Sequence, residues 1–249
     1  MADATPLAGR TALVCGATGS IGPAIVRRFA ALGARVVVHG NRNLARAEEL
    51  AAELGGDHLA VAGDLADPTV AAEIAQRASP ATILVGAAYP HVAPAPFAES
   101  TDADLEAHLD GIRMHVNICR AALPQMRAAG FGRIVLLSGA LADRPYPGFA
   151  LYTAAKAALT AFSRALALEE GPAGVTVNVV APGEVESPTD AGAPLSEPFA
   201  GLDRLIRMRS ALPLPGADDV AQTVAFLASP AAAAVTGQVI YLAAGEPIR

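Results

Sequence analysis

A doubly wound α/β fold, a parallel sheet with helices on both faces, is what this sequence predicts, and three observations carry it. Seven short β-rich runs alternate with longer helical patterns along the 249 residues. The first run leads through a glycine-rich turn into a helix. Hydrophobic residues make up 53% of the chain and charged ones 17%, which suits one large, well-buried core.

The first strand, 10–15, runs into Cys15-Gly16-Ala17-Thr18-Gly19-Ser20-Ile21-Gly22. A helix follows over 21–32, opened by Pro23, whose fixed φ and missing N–H are tolerated in a first turn. Three valines carry the second strand, 35–39, and alanines and leucines the helix 44–54. The third strand, 58–62, precedes a helix at 68–78 begun by Pro68. Thr82, Ile83, Leu84 and Val85 form the fourth strand, after which a long helical pattern covers 103–129. The fifth strand, 133–138, and the valine-rich sixth, 175–180, flank a helix over 151–170. A helix at 217–228 and a strand at 238–242 close the order. Right-handed crossovers between successive strands make such a sheet parallel. Residues 187–215 are proline-rich and poorly patterned, too long for a plain connection, and are expected to form a mobile lid over a binding crevice. With no internal repeat or low-complexity tract, the chain reads as a single domain, 1–249.

The formal charge is −6 and the pI about 5.3. No basic run is present, so no nucleic-acid or anionic-membrane surface is expected and the partners are small molecules. No apolar stretch approaches a membrane span and the opening residues lack a signal-peptide pattern, so a cytoplasmic location is expected. Cys15 and Cys119 have no metal spacing and read as buried thiols; no metal site is expected.

Two local patterns carry chemistry. Glycines in the turn after the first strand let the backbone approach a diphosphate, whose charge the helix N-terminus meets; Asp64-Leu65, after the third strand, is placed for an adenine contact. Tyr152 and Lys156 stand four apart on a predicted helix, so an ammonium can sit beneath a phenol and lower its pKa, making the hydroxyl an acid or base near neutrality. An ordinary amphipathic helix also shows this spacing; the surrounding pattern decides between them.

The glycine turn, Asp64, Tyr152 with Lys156 and the run 178–188 together resemble the short-chain dehydrogenase/reductase family, as do Asp219-Val220-Ala221, the run 226–229 and Thr236-Gly237-Gln238. The resemblance spans essentially the whole chain. It implies a Rossmann-type fold of seven strands, a nicotinamide cofactor and reversible hydride transfer between an alcohol and a carbonyl. By that resemblance Tyr152 protonates the carbonyl oxygen, Lys156 lowers the phenol pKa and holds the nicotinamide ribose, and Pro182, Gly183, Val185 and Ser187 seat the carboxamide. Gly16, Thr18, Ser20, Ile21, Gly22, Asp64, Leu65, Gly86 and Ala87 complete the cofactor set. A Pro-Gly turn after a strand's carboxyl end lies where open α/β sheets bind ligands.

Four departures stand out. The family's catalytic serine lies thirteen residues before the tyrosine, where this chain has Gly139; Ser138, beside it, is the remaining candidate for an oxyanion-side donor. The family's relay asparagine aligns with Gly111, and Asn117 lies elsewhere on the helix. The Asn-Asn-Ala-Gly motif is replaced by Gly86-Ala87-Ala88-Tyr89, and the turn's second glycine by Ser20. His108 and His115 flank Gly111 at helical spacings, so either could turn an imidazole toward the emptied position or pack as an ordinary histidine. Tyr89 and His91 follow the fourth strand, where they either contact substrate, together with Gly139, or pack the loop.

After the second strand comes His39-Gly40-Asn41-Arg42-Asn43, without the aspartate that binds ribose hydroxyls in NAD-preferring members. Nothing there repels a 2′-phosphate, and Asn41 and Arg42 are placed to bind it, so NADP(H) is favoured and NAD(H) remains possible. Two functions stay open: an NADP(H)-dependent carbonyl reductase with an altered acid–base apparatus, or a protein of the same fold acting as a non-redox cyclase, dehydratase, isomerase or ligand binder. Alanine-rich helices at 103–129 and 151–170 predict a homotetramer or homodimer.

Overall fold

The computed structural model describes residues 5–186 and 201–246. Seven parallel strands form one sheet in the order β3-β2-β1-β4-β5-β6-β7: β1 Thr11–Cys15, β2 Arg35–Gly40, β3 Leu59–Ala62, β4 Ala81–Gly86, β5 Gly132–Leu137, β6 Val175–Pro182 and β7 Val239–Leu242. The helices are α1 Gly22–Ala31, α2 Leu44–Leu54, α3 Pro68–Arg77, α4 Asp102–Ala129, α5 Ala150–Glu170, α6 Leu202–Arg209 and α7 Ala217–Ala228. This is the expected Rossmann-type architecture.

The strand alternation sorts the core into two layers. Side chains of successive strand residues point to opposite faces. Accordingly Ala12 and Val14 of β1, with Val135 and Leu137 of β5, pack in a cluster with residues of α1, α2 and α7. Leu13 and Cys15, with Ile134 and Leu136, pack in a second cluster with α3, α4 and α5. Both cysteines are free and buried, as expected.

Helix ends follow their local chemistry. The Asp67 carboxylate accepts from the Thr69 and Val70 N–H groups ahead of Pro68, starting α3. Thr101 and Asp104 form a capping box that starts α4, and Gly130, left-handed at φ 57°, ends it. The structure corrects the reading of 187–215 in one respect: residues 202–209 form a helix. Residues 187–200, including Ser187, lie outside the described residues. Among the described residues no helix is long and apolar enough to cross a membrane.

Strand order reverses between β1 and β4, opening a crevice at the carboxyl edge. Because all strands are parallel, the glycine turn after β1, Ala87–Tyr89 after β4, Ser138 and Gly139 after β5, and the turn after β6 all emerge at that edge.

Candidate active site

Gly16 takes φ 75°, a conformation glycine adopts without cost. A Cβ there would stand 2.5 Å from the Ala88 amide nitrogen, and one at Gly22 would stand 2.4 Å from the Ala17 carbonyl oxygen. Both glycines are thus required for the turn to pack against its neighbours. Gly16, Gly19, Ser20, Ile21 and Gly22 line one wall of a cleft of about 490 Å³, and Tyr152, Lys156, Ser138, Ala87, Tyr89, His91 and Pro182 are among the residues lining the rest. Asn41 and Arg42 are exposed beyond β2, and Thr18 is half-buried with its methyl against Gly40. The Asp64 carboxylate accepts the Ala66 N–H at 3.0 Å. Leu65 is buried in the core.

His39 was passed over in the sequence and supports the turn from behind. Its buried ring accepts the Gly16 N–H at Nδ1 (3.3 Å) and donates from Nε2 to the Gly63 carbonyl oxygen (2.9 Å). The bond at Nδ1 needs the neutral ring, and burial lowers the pKa in that direction against the pull of the Gly63 carbonyl on the protonated form. Asn117 donates to the Leu65 and Ala66 carbonyl oxygens (3.1 and 3.0 Å). It therefore braces the loop carrying Asp64, away from Tyr152.

Tyr152 and Lys156 lie one turn apart on α5. Lys156 is buried, its Nζ 5.5 Å from the Tyr152 ring centre and donating to the Leu137 carbonyl oxygen at 3.2 Å. Among the described residues it makes no salt bridge, and burial pushes its pKa down to about 7. The Tyr152 phenol is pushed up to about 12 by burial, with the Glu184 charge adding to the effect. The phenol pKa is thus raised, the opposite of the lowering expected from the lysine, because burial disfavours the phenolate. Glu184 carries no signal of its own in the sequence, although it stands between Gly183 and Val185 of the proposed carboxamide turn.

The departures from the family pattern have structural answers. A Cβ at Gly139 would lie 2.8 Å from the Tyr152 hydroxyl oxygen, so glycine there makes room for the phenol. Ser138 Oγ donates to the Lys156 carbonyl oxygen (3.0 Å) and accepts from Thr160 Oγ1 (3.3 Å). Its proton is directed to the backbone of α5, while the residue itself lines the cleft beside Tyr152 and Lys156. The space beside Gly111 is filled by Tyr89, whose hydroxyl is hydrogen-bonded to His108 Nδ1 at 2.9 Å. His115 lies between the Gly111 and Gly86 carbonyl oxygens at 2.7 and 3.1 Å. Burial and the Lys156 charge push its pKa down to about 4 against the pull of those carbonyls. Both histidines of α4 are buried; His108 reaches the cluster through Tyr89, and His115 braces the end of β4.

Gly86 has no room for a side chain, since a Cβ would meet His115 Cδ2 at 2.7 Å. Gly183 packs against Ala243 and Val185 is half-buried near the α7 layer. Among the described residues no group of three His, Cys, Asp or Glu side chains is arranged to hold a metal ion.

Known proteins resemble this chain over most of its length. A family model described as enoyl-(acyl carrier protein) reductase matches residues 16–246. Dehydrogenase/reductase SDR family member 4 of Homo sapiens is 31% identical, over 98% of this chain and 90% of that protein. A cyclic-di-GMP-binding biofilm dispersal mediator protein of Escherichia coli K12 is 34% identical, over 92% and 93%. The crystal structure of a 3-oxoacyl (acyl-carrier-protein) reductase from Agrobacterium tumefaciens C58 with NADP bound matches with a TM-score of 0.86 at 30% identity, covering 96% of this chain and 95% of the other.

Proposed function

The chain belongs to the short-chain dehydrogenase/reductase family, and on that premise we propose that it reduces a ketone, or oxidises the corresponding alcohol, with NADP(H) as cofactor and Tyr152 as acid–base group. The observation that carries this reading is that Tyr152 and Lys156 share one cleft with the glycine turn.

The backbone cradle at Gly16 and Gly22, which a Cβ would fill, suits a diphosphate. Thr18, Ser20 and Ile21 would complete its wall, Asp64 and the Leu65 backbone the adenine side, and Gly86 with Ala87 the centre. Pro182, Gly183 and Val185 would seat the carboxamide. Arg42, exposed and without an ion pair among the described residues, suits a 2′-phosphate, and the Agrobacterium relative has NADP bound. The cofactor, when bound, supplies the hydride.

Tyr152 holds its proton across the physiological range, because burial keeps the phenol neutral, and it donates that proton to the carbonyl oxygen of the substrate. The phenolate left behind is stabilised by the Lys156 ammonium on the same face of α5. Tyr89 and His91, which line the cleft, and Gly139, beside the phenol, would bound the substrate space.

Two observations favour a second reading, a ligand-binding or non-redox protein of the same fold: the structure has no serine side chain where Gly139 adjoins Tyr152, and the Escherichia coli relative is named for cyclic-di-GMP binding. The experiment is to titrate the protein with NADPH and NADH and then follow oxidation of the bound cofactor against a panel of ketones. Binding with turnover supports the reductase. Binding of neither cofactor, or no oxidation by any ketone, supports the second reading.

A further inference from the structure

We propose that Tyr89 is a positioning residue for Lys156: its ring, seated in the volume that a side chain at 111 would occupy and tied by its hydroxyl to His108, covers the ammonium and keeps it charged beneath Tyr152. The inference rests on the reading of Tyr152 and Lys156 as the acid–base pair and adds a third residue acting through the lysine.

Four contacts of Tyr89 carry it. A Cβ at Gly111 would stand 2.4 Å from Tyr89 Cε2, 2.9 Å from Cδ2 and 3.0 Å from Cζ. Tyrosine at 89 therefore fits only while 111 is glycine, and the two positions work as a pair. Next, Lys156 Nζ lies 3.8 Å from the centre of the Tyr89 ring, within range for attraction between a cation and the negative face of an aromatic ring. Finally, the Tyr89 hydroxyl is hydrogen-bonded to the buried His108 at 2.9 Å, and the ring meets Tyr152 edge-on with centres 5.5 Å apart. These contacts fix the orientation of the ring.

Lys156 needs such a contact because it is buried beside few compensating groups. The Leu137 carbonyl faces it from β5, Tyr152 from its own helix, Tyr89 from the loop after β4, and His108 and His115 from α4. The Lys156 charge helps to hold both histidines neutral. Glu184, in the turn after β6, acts on Tyr152. Of the groups around the ammonium, the carbonyl oxygen and the two ring faces offer negative potential without ionising. The Tyr89 ring is the nearer of the two.

The test is the titration of Lys156, followed by nuclear magnetic resonance of isotope-labelled lysine side chains in protein free of cofactor and substrate. Tyr89→Leu keeps an apolar side chain and removes the ring face, Tyr89→Phe keeps the face and removes the tie to His108, and Gly111→Ala drives the ring off by contact while leaving residue 89 a tyrosine. The expected result is a midpoint lowered by about one pH unit, tenfold in acid dissociation, in Tyr89→Leu and Gly111→Ala. Tyr89→Phe should shift it by less than half as much. A midpoint unchanged in Tyr89→Leu, or in Gly111→Ala should the first variant not fold, overturns the proposal. Since no turnover is read, failure here leaves the reductase reading standing, and absence of ketone reduction in the unaltered protein removes that reading alone.

Discussion

An ammonium buried without a carboxylate is costly to fold, and among the described residues Lys156 has none paired with it. Its pKa is about 7 in the folded chain against about 10.5 in an unfolded one, so the unfolded state binds more protons between those values. Stability should therefore rise with pH from about 7 toward 10.5. Lys156→Met should stabilise the unliganded protein by about 1–2 kcal/mol at neutral pH while removing turnover; thermal melts with matched assays check both. The same titration sets the rate: ketone reduction should fall as pH rises through about 7, where the ammonium that stabilises the phenolate is lost. In Lys156→Arg that limb should disappear from the pH–rate profile. At Gly139 both serine and alanine put a Cβ 2.8 Å from the phenol oxygen. Either variant should cut turnover by about tenfold or more through displacement of Tyr152, and kcat at saturating ketone measures it. Tyr152 and Lys156 were legible in the sequence because a spacing of four places two residues on one helix face. The filling of the Gly111 position was not, because the ring comes from a distant loop and local periodicity holds no record of that contact.

The elements around the crevice were mostly legible. Strands of valine and isoleucine and helices opened by Pro23 and Pro68 announce themselves by local rules. Helix α6 did not: its eight residues carry Arg204, Arg207 and Arg209 within a proline-rich stretch, where the short period is lost. His39 also escaped notice, since a histidine ending a strand has no spacing signal, and its value lies in joining the glycine turn to the exit of β3. The bond it accepts from the Gly16 N–H persists only while the ring is neutral. Folded, its pKa is depressed below 6.5, so the contribution is present above that value and is lost as pH falls through the folded value. Dinucleotide affinity should weaken in the same acidic window, as a fluorescence titration of NADPH against pH would report, and His39→Phe should be weak throughout. At the end of β2, Arg42→Ala should cost about 1–3 kcal/mol in NADPH affinity and leave NADH unchanged. Equal losses for the two cofactors would remove Arg42 from the phosphate.

Over the whole molecule, the sheet consumes one face of α4 and α5 and leaves another uncovered. Ala122, Ala155 and Ala167 point into the core. Ala154, Ala157, Ala158, Ala161 and Ala165 are exposed on α5, and Leu168 is 81% exposed. Small residues permit close helix approach, so we expect this face to pair with its copy across a two-fold axis, and a second contact to complete a tetramer. Light scattering at micromolar concentration should give a mass near two or four chains; a mass near one chain of 25.1 kDa would reject the interface. Carbonyl reduction with Tyr152 as acid is tested most directly by comparing Tyr152→Phe with the unaltered protein in two assays, NADPH affinity and ketone turnover. Affinity kept within about twofold with turnover reduced by about a thousandfold or more is the predicted result, and a variant that retains most of its turnover would contradict it.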